Sequence, residues 1–222
     1  MKTRILTVSL LLAFCFSNTG MAASGKSRVF DLIGNDGSKI ATIHIDGNSL
    51  QYEFDNSSEV MVFTGDSLVS LHKKNKSYSI QSYASLESIA SQKAAELSNS
   101  PVNADDKTAM VLDLKNETKR VAGVKVHKLV RTTNGQPDAE FWVSSELAPP
   151  SLRSLGEKLR KTLPKNYWAR VHGYPGMIEI IMLFGVPLRG TYQGSHTFHA
   201  RAVVNSGSET FKVPADYKRV DN

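Results

Sequence analysis

The chain has 222 residues, a formal net charge of +6 at pH 7, 41% hydrophobic residues and a single cysteine. One cysteine excludes a disulfide framework, and mild basicity without a concentrated basic stripe interleaved with aromatics leaves no nucleic-acid footprint.

Met1-Lys2-Thr3-Arg4 is a short basic start, Ile5 to Phe16 is a twelve-residue near-apolar run, and Ser17 to Ala23 supplies small and turn-forming residues. That order predicts a cleavable signal peptide over 1–23 and export to the periplasm, most simply of a Gram-negative bacterium. The run is too short for a bilayer-spanning helix, which needs about 20 residues. Cys15 follows Phe14, where a lipoprotein signal needs a small residue. Cleavage after Ala23 leaves one β-rich domain, 24–222, without cysteine and so without thiol chemistry. Losing Lys2 and Arg4 takes the formal charge from +6 to +4. No later segment is long and apolar enough to cross a membrane.

The first third alternates. Ala41, Ile43 and Ile45 share a face, and Leu50, Tyr52 and Phe54 share another. Glu59 to Thr64, Leu68 to His72 and Tyr78 to Ile80 follow, separated by turn pairs such as Asn35-Asp36-Gly37, Asp46-Gly47 and Gly65-Asp66. These features predict a β-meander. From Ser85 to Leu97 the apolar spacing turns helical, with Ser85 as N-cap. Strands are predicted to resume at Met110–Leu114, Arg120–Arg131 and Glu140–Val143, the last two joined by an Asn134-Gly135 turn. Pro149-Pro150 opens a second helix. Leu152, Leu155, Leu159 and Leu163 form its apolar stripe, and Arg153, Lys158, Arg160 and Lys161 lie largely off it. Met177 to Leu183 is the most apolar stretch after the leader, and Leu188–Gln193, His196–Val204 and Glu209–Val213 read as closing strands. The fold class is therefore α+β, mainly β: a strongly curved antiparallel sheet, an open half-barrel with two helices covering one face.

Val62-Phe63-Thr64-Gly65-Asp66-Ser67-Leu68 resembles the nucleophile block of the GDSL esterases. Those enzymes also need a histidine three residues after an aspartate, and none of the six histidines here has one. The motif reads more simply as a Gly-Asp turn. His196 and His199 are the one close histidine pair, and on a strand they point to opposite faces. No catalytic residue, metal site or cofactor is expected. Met177 to Leu188 reads either as a buried core strand or as an apolar lid over the sheet's concave face.

Val121-Ala122-Gly123-Val124, Val126 to Arg131, Glu140-Phe141-Trp142-Val143, Gly173-Tyr174-Pro175-Gly176, Val186-Pro187-Leu188-Arg189 and Phe211-Lys212-Val213-Pro214-Ala215-Asp216-Tyr217 form a series of specific phrases. The series resembles an exported bacterial family of uncharacterised function, itself similar to the LolA-type lipoprotein carriers. The resemblance implies a LolA-like half-barrel that holds lipid in its cavity without catalysis. On that reading Met177, Ile178, Ile180, Ile181, Met182, Leu183 and Phe184 line or close the cavity, and Leu152, Leu155 and Leu159 pack the covering helix. The ligand would be an acyl chain, lipid or lipoprotein, each buried CH₂ contributing about 0.8 kcal/mol. The alternatives are a cell-envelope protein–protein interaction module with a filled core, and an ester hydrolase using Ser67.

Overall fold

Apolar alternation between tight turns produces two meanders, and one long-range strand pair joins them. The computed structural model describes residues 27–99, 110–163, 177–192, 196–203 and 211–220. The first meander runs β1 (Arg28–Gly34), β2 (Lys39–Ile45), β3 (Leu50–Phe54), β4 (Glu59–Phe63), β5 (Ser67–His72) and β6 (Ser77–Ser82). Helix α1 (Tyr83–Asn99) follows. The second runs β7 (Met110–Val121), β8 (Val124–Thr133) and β9 (Gln136–Ser144). A 3₁₀ turn at Ser145–Leu147, α2 (Pro150–Thr162) and α3 (Met177–Phe184) intervene before β10 (Val186–Tyr192) and β11 (His196–Val203). A two-residue strand, β12 (Lys218–Arg219), comes last.

These strands form one twelve-stranded, curved, unclosed sheet in the order β12-β6-β5-β4-β3-β2-β1-β11-β10-β9-β8-β7. Every neighbour is antiparallel and sequential except the β1–β11 pair and the parallel β12–β6 pair. The chain leaves one end of the sheet at β6 and re-enters at the opposite end at β7. α1 lies on that passage. Ser82, one residue before the helix, accepts the Ser85 N–H on its hydroxyl at 3.1 Å. The cap is therefore Ser82 rather than the expected Ser85, and the helix starts two residues earlier.

The concave face carries the main core. Phe30, Leu32, Ile43, Tyr52, Phe63, Leu129 and Phe141 bury there together with Leu152, Leu155, Ile180 and Ile181 from the helices. Alternate residues of β4 and β5 point the other way. Val60, Val62, Val69 and Leu71 form a second, smaller cluster, covered by Phe211, Val213 and Tyr217. Expected strand Glu209–Val213 is not seen where it is described: 211–213 has no strand, and 209–210 lies outside the described residues. The segment instead straps the outer face and then pairs with the sheet edge. Lys218 N–H donates to Lys76 O at 2.9 Å and Val220 N–H to Tyr78 O at 2.8 Å. Lys76 and Asp216 form an ion pair at 2.8 Å beside it.

Two further differences have local causes. The expected strand Arg120–Arg131 is divided by a two-residue turn in which Ala122 has φ +47°; β7 and β8 pair on either side, Val121 against Val124. Met177–Phe184 is a third helix, not the buried strand. With Glu179 its one polar residue, it has no apolar period to separate helix from strand. Gly185 ends it at φ +105°, and a Cβ there would lie 2.5 Å from Ser144 O. Only glycine fits that corner.

The leader 1–23, with Cys15, and the motif Gly173–Gly176 lie outside the described residues.

Candidate binding pocket

Leu152, Leu155 and Leu159 recur at helical spacing, so α2 presents one narrow apolar stripe, and all three are buried. α2 lies against α3 at unusually short range. At Gly156 an added Cβ would sit 2.4 Å from Met182 O and 3.1 Å from Leu183 O. Small size at that position lets the two helices touch backbone to side.

Most of the hollow beneath them is filled. Of the ten residues expected to line it or pack its cover, Leu152, Leu155, Leu159, Ile180, Ile181, Leu183 and Phe184 are buried in the main core. Met177, Ile178 and Met182 pack partly buried against it. Among the described residues a pocket of about 230 Å³ lies between α2, the end of α3 and the β7–β9 part of the sheet. Five of the ten reach it: Leu152, Ile181, Met182, Leu183 and Phe184. Leu114, Val143 and Ala148 complete the apolar wall. Met177, Ile178, Ile180, Leu155 and Leu159 are not part of its lining.

The pocket is larger than the ~150 Å³ apolar cavity that accommodates benzene. It falls below the usual ~300–1,000 Å³ of ligand sites. One ring or one short chain segment fits; the several acyl chains of a lipoprotein do not.

His127, Arg153, Glu157 and Arg160 add polar groups to this lining. Arg153, Glu157 and Arg160 follow one another along one face of α2. The Arg160 guanidinium lies 5.5 Å from the Phe184 ring centroid, at the outer range of a cation–π contact. Burial pushes its pKa down, Glu157 opposes this, and the group stays cationic. Lys158, by contrast, turns to α1 and pairs with Glu87 at 2.8 Å.

Other polar groups are engaged structurally. Arg131 on β8, 3% exposed, binds Asp138 through Nε and Nη2, both at 2.8 Å. Thr133 Oγ1 donates to the same carboxylate at 2.9 Å. Burial pushes the Asp138 carboxyl up, but Arg131 and Thr133 outweigh it and hold the group below its ordinary value. On β9, Glu140 accepts Trp142 Nε1–H at 2.6 Å and pairs with Lys128 at 3.1 Å. Lys119 sits 3.6 Å from the Trp142 ring centroid. A shallow depression of about 380 Å³ beside Lys128 and Glu140 is thus edged by charges already paired.

Ser67 opens β5, half-buried, directly after the Gly65-Asp66 turn. Its hydroxyl donates to Asp66 at 3.0 Å and contacts Thr64 Oγ1 at 2.9 Å. Tyr83 OH donates to Thr64 O at 3.0 Å, pinning the same turn to α1. Among the described residues no three His, Cys, Asp or Glu side chains converge as a metal group. No described helix is long and apolar enough to cross a membrane.

Sequence reasoning recognised α2 as basic but gave its arginines no partner. Pocket residues Leu114, His127 and Phe184 are brought to Arg160 by three separate stretches of chain, and no local pattern announces that meeting.

The fold and pocket together define a curved open antiparallel sheet with helical cover and a small cation-edged apolar site. No family model and no curated protein sequence matches the chain. Several solved structures are similar. One is PNGF-II, at 11% identity and TM-score 0.46, with 88% of this chain and 31% of that one covered. Another is an uncharacterized conserved protein from Thermus thermophilus, at 11% identity and TM-score 0.39, with 88% and 90% covered. A third is the MucA/MucB complex of Pseudomonas aeruginosa, at 13% identity and TM-score 0.30, with 86% and 56% covered. The chain thus spans about a third of the first and just over half of the third. The functional reading rests on the site itself.

Proposed function

We propose that this is a non-enzymatic binding protein, acting in the periplasm after removal of the leader, that takes one apolar chain segment into the pocket between α2, α3 and β7–β9. The observation that carries the reading is the pocket: about 230 Å³, walled by Leu152, Val143, Ile181 and Leu183. Six buried CH₂ groups contribute about 5 kcal/mol at ~0.8 kcal/mol each, which corresponds to a Kd no tighter than about 0.2 mM and to millimolar or weaker affinity once ordering costs are subtracted.

Calorimetric titration of the leaderless chain with decanol, below its solubility limit, tests this. Binding is expected at one site and is lost in Met182→Trp, which fills the pocket from a half-buried position while circular dichroism stays native. Absence of binding to the unaltered chain, or undiminished binding to Met182→Trp, refutes the reading. The filled hollow favours a second reading, an envelope interaction module; it gains if purified protein carries no extractable ligand and binds no decanol.

A further inference from the structure

Arg160, like Arg153, is exposed at the rim of the pocket that both line. Among the described residues neither has a carboxylate within ion-pair distance. The buried arginine of β8, Arg131, is by contrast held by a bidentate carboxylate. The Phe184 ring lies 5.5 Å from the Arg160 guanidinium, a distant contact that leaves its donors open. Glu157 lines the same pocket but forms no ion pair with Arg160 and acts on it only at a distance.

We infer that the pocket is specific for an anionic single-chain amphiphile, a fatty-acid-type carboxylate, whose tail enters the pocket between α2, the end of α3 and β7–β9 and whose head is received by Arg160 with Arg153 beside it. This rests on the pocket reading above and adds the chemistry of the head. Two arginines against one glutamate leave one net positive charge at the site, which matches a singly charged head. A planar guanidinium donates to both carboxylate oxygens at once, an arrangement an alcohol cannot reproduce. The apolar wall and the cation are adjacent. Phe184 lines the pocket and also carries the Arg160 contact, so an occupant lying along the wall reaches the guanidinium without rearrangement of the helices.

The test compares decanoate, decanol and decyltrimethylammonium on the leaderless chain by calorimetry, below micelle-forming concentrations. Decanoate is expected to bind roughly tenfold or more tighter than decanol, as hydrogen bonds to charged groups imply, and decyltrimethylammonium weakest. In Arg160→Gln that preference falls to about unity. Arg153→Gln, at an exposed position, reduces it in part and serves if Arg160→Gln does not fold. Equal binding of decanoate and decanol by the unaltered chain overturns the inference and leaves the pocket reading standing. So does an unchanged preference in both variants. Failure of all three ligands to bind overturns the pocket reading and the inference with it.

Discussion

Gly156→Ala sets two known effects against each other. Alanine is intrinsically better than glycine inside a helix by about 1 kcal/mol, so propensity alone predicts a more stable protein. The packing opposes it. The new methyl would sit 2.4 Å from Met182 O, where ordinary contact begins at 3.4 Å, so α2 and α3 must part by about 1 Å. The obstacle is backbone on a helix that itself abuts the corner at Gly185, not the tip of a flexible side chain. Overpacking of this kind costs about 1–3 kcal/mol, and a rigid obstacle places it in the upper part of that range. The net expectation is a loss of about 1–2 kcal/mol. For a chain of this size each kcal/mol shifts the melting temperature by about 2–4 °C, which gives a fall of roughly 2–8 °C. Thermal unfolding followed by circular dichroism reads it, with Gly65→Ala as control, since nothing lies within 4 Å of a Cβ there. Because Met182 and Leu183 line the pocket, decanol binding should weaken in the same variant. A Gly156→Ala protein that melts at or above the parent refutes the claim that backbone contact fixes this helix pair.

Asp138→Ala removes the carboxylate that the buried Arg131 guanidinium binds through two nitrogens and is expected to cost up to about 3–5 kcal/mol in denaturant titration, whereas Arg131→Met with Asp138→Leu recovers most of it. The Asp138 carboxyl is held below its unfolded value of 3.8. Its contribution is therefore complete above about pH 5 and is lost as pH falls through 3.8 toward the lower folded value. Asp138→Asn should flatten that part of the stability–pH curve; an unchanged acid limb would show the pair to be uncoupled from folding. Phe211→Ser with Tyr217→Ala should loosen the strap over the Val60, Val62, Val69 and Leu71 cluster. Hydrogen exchange at the Lys218 and Val220 amides is expected to rise at least tenfold with β2 and β3 unchanged. Uniform acceleration across the sheet would show instead that the strap is part of the global unfolding unit.

Legibility followed locality. β2 and β3 were readable because each buries alternate residues, and β2 ends in the Asp46-Gly47 turn, where Gly47 has φ +91°. α2 was readable from Pro150 and its leucine spacing. β1 was not singled out: Val29 and Ile33 are buried as well as Phe30 and Leu32, so its sequence shows no alternation. The β7–β8 turn escaped because alanine rarely adopts the φ of +47° that Ala122 has. α3 escaped because an almost wholly apolar octapeptide carries no period. Phe211 to Tyr217 has strand-like composition, yet it meets side chains of β4 to β6 rather than a neighbouring backbone. The pocket was legible only as an apolar expectation. Its arginines appeared as a basic helix face, and their convergence with Phe184 is a tertiary event.

The β1–β11 pairing gives the sheet a history as well as a shape. Apart from the two-residue β12 at the far edge, the sheet on either side of it pairs strands consecutive in the chain, while this seam joins residues as far apart as Asp31 and Arg201, 170 positions along the sequence. Closing so long a loop is entropically slow compared with forming hairpins. Each half can therefore acquire its own strands early and wait, with β1 and β11 as unsatisfied borders, until the last third of the chain arrives. Any aggregation of nascent protein should begin at those two borders, and a chaperone guarding this polypeptide would have most to gain by holding β1.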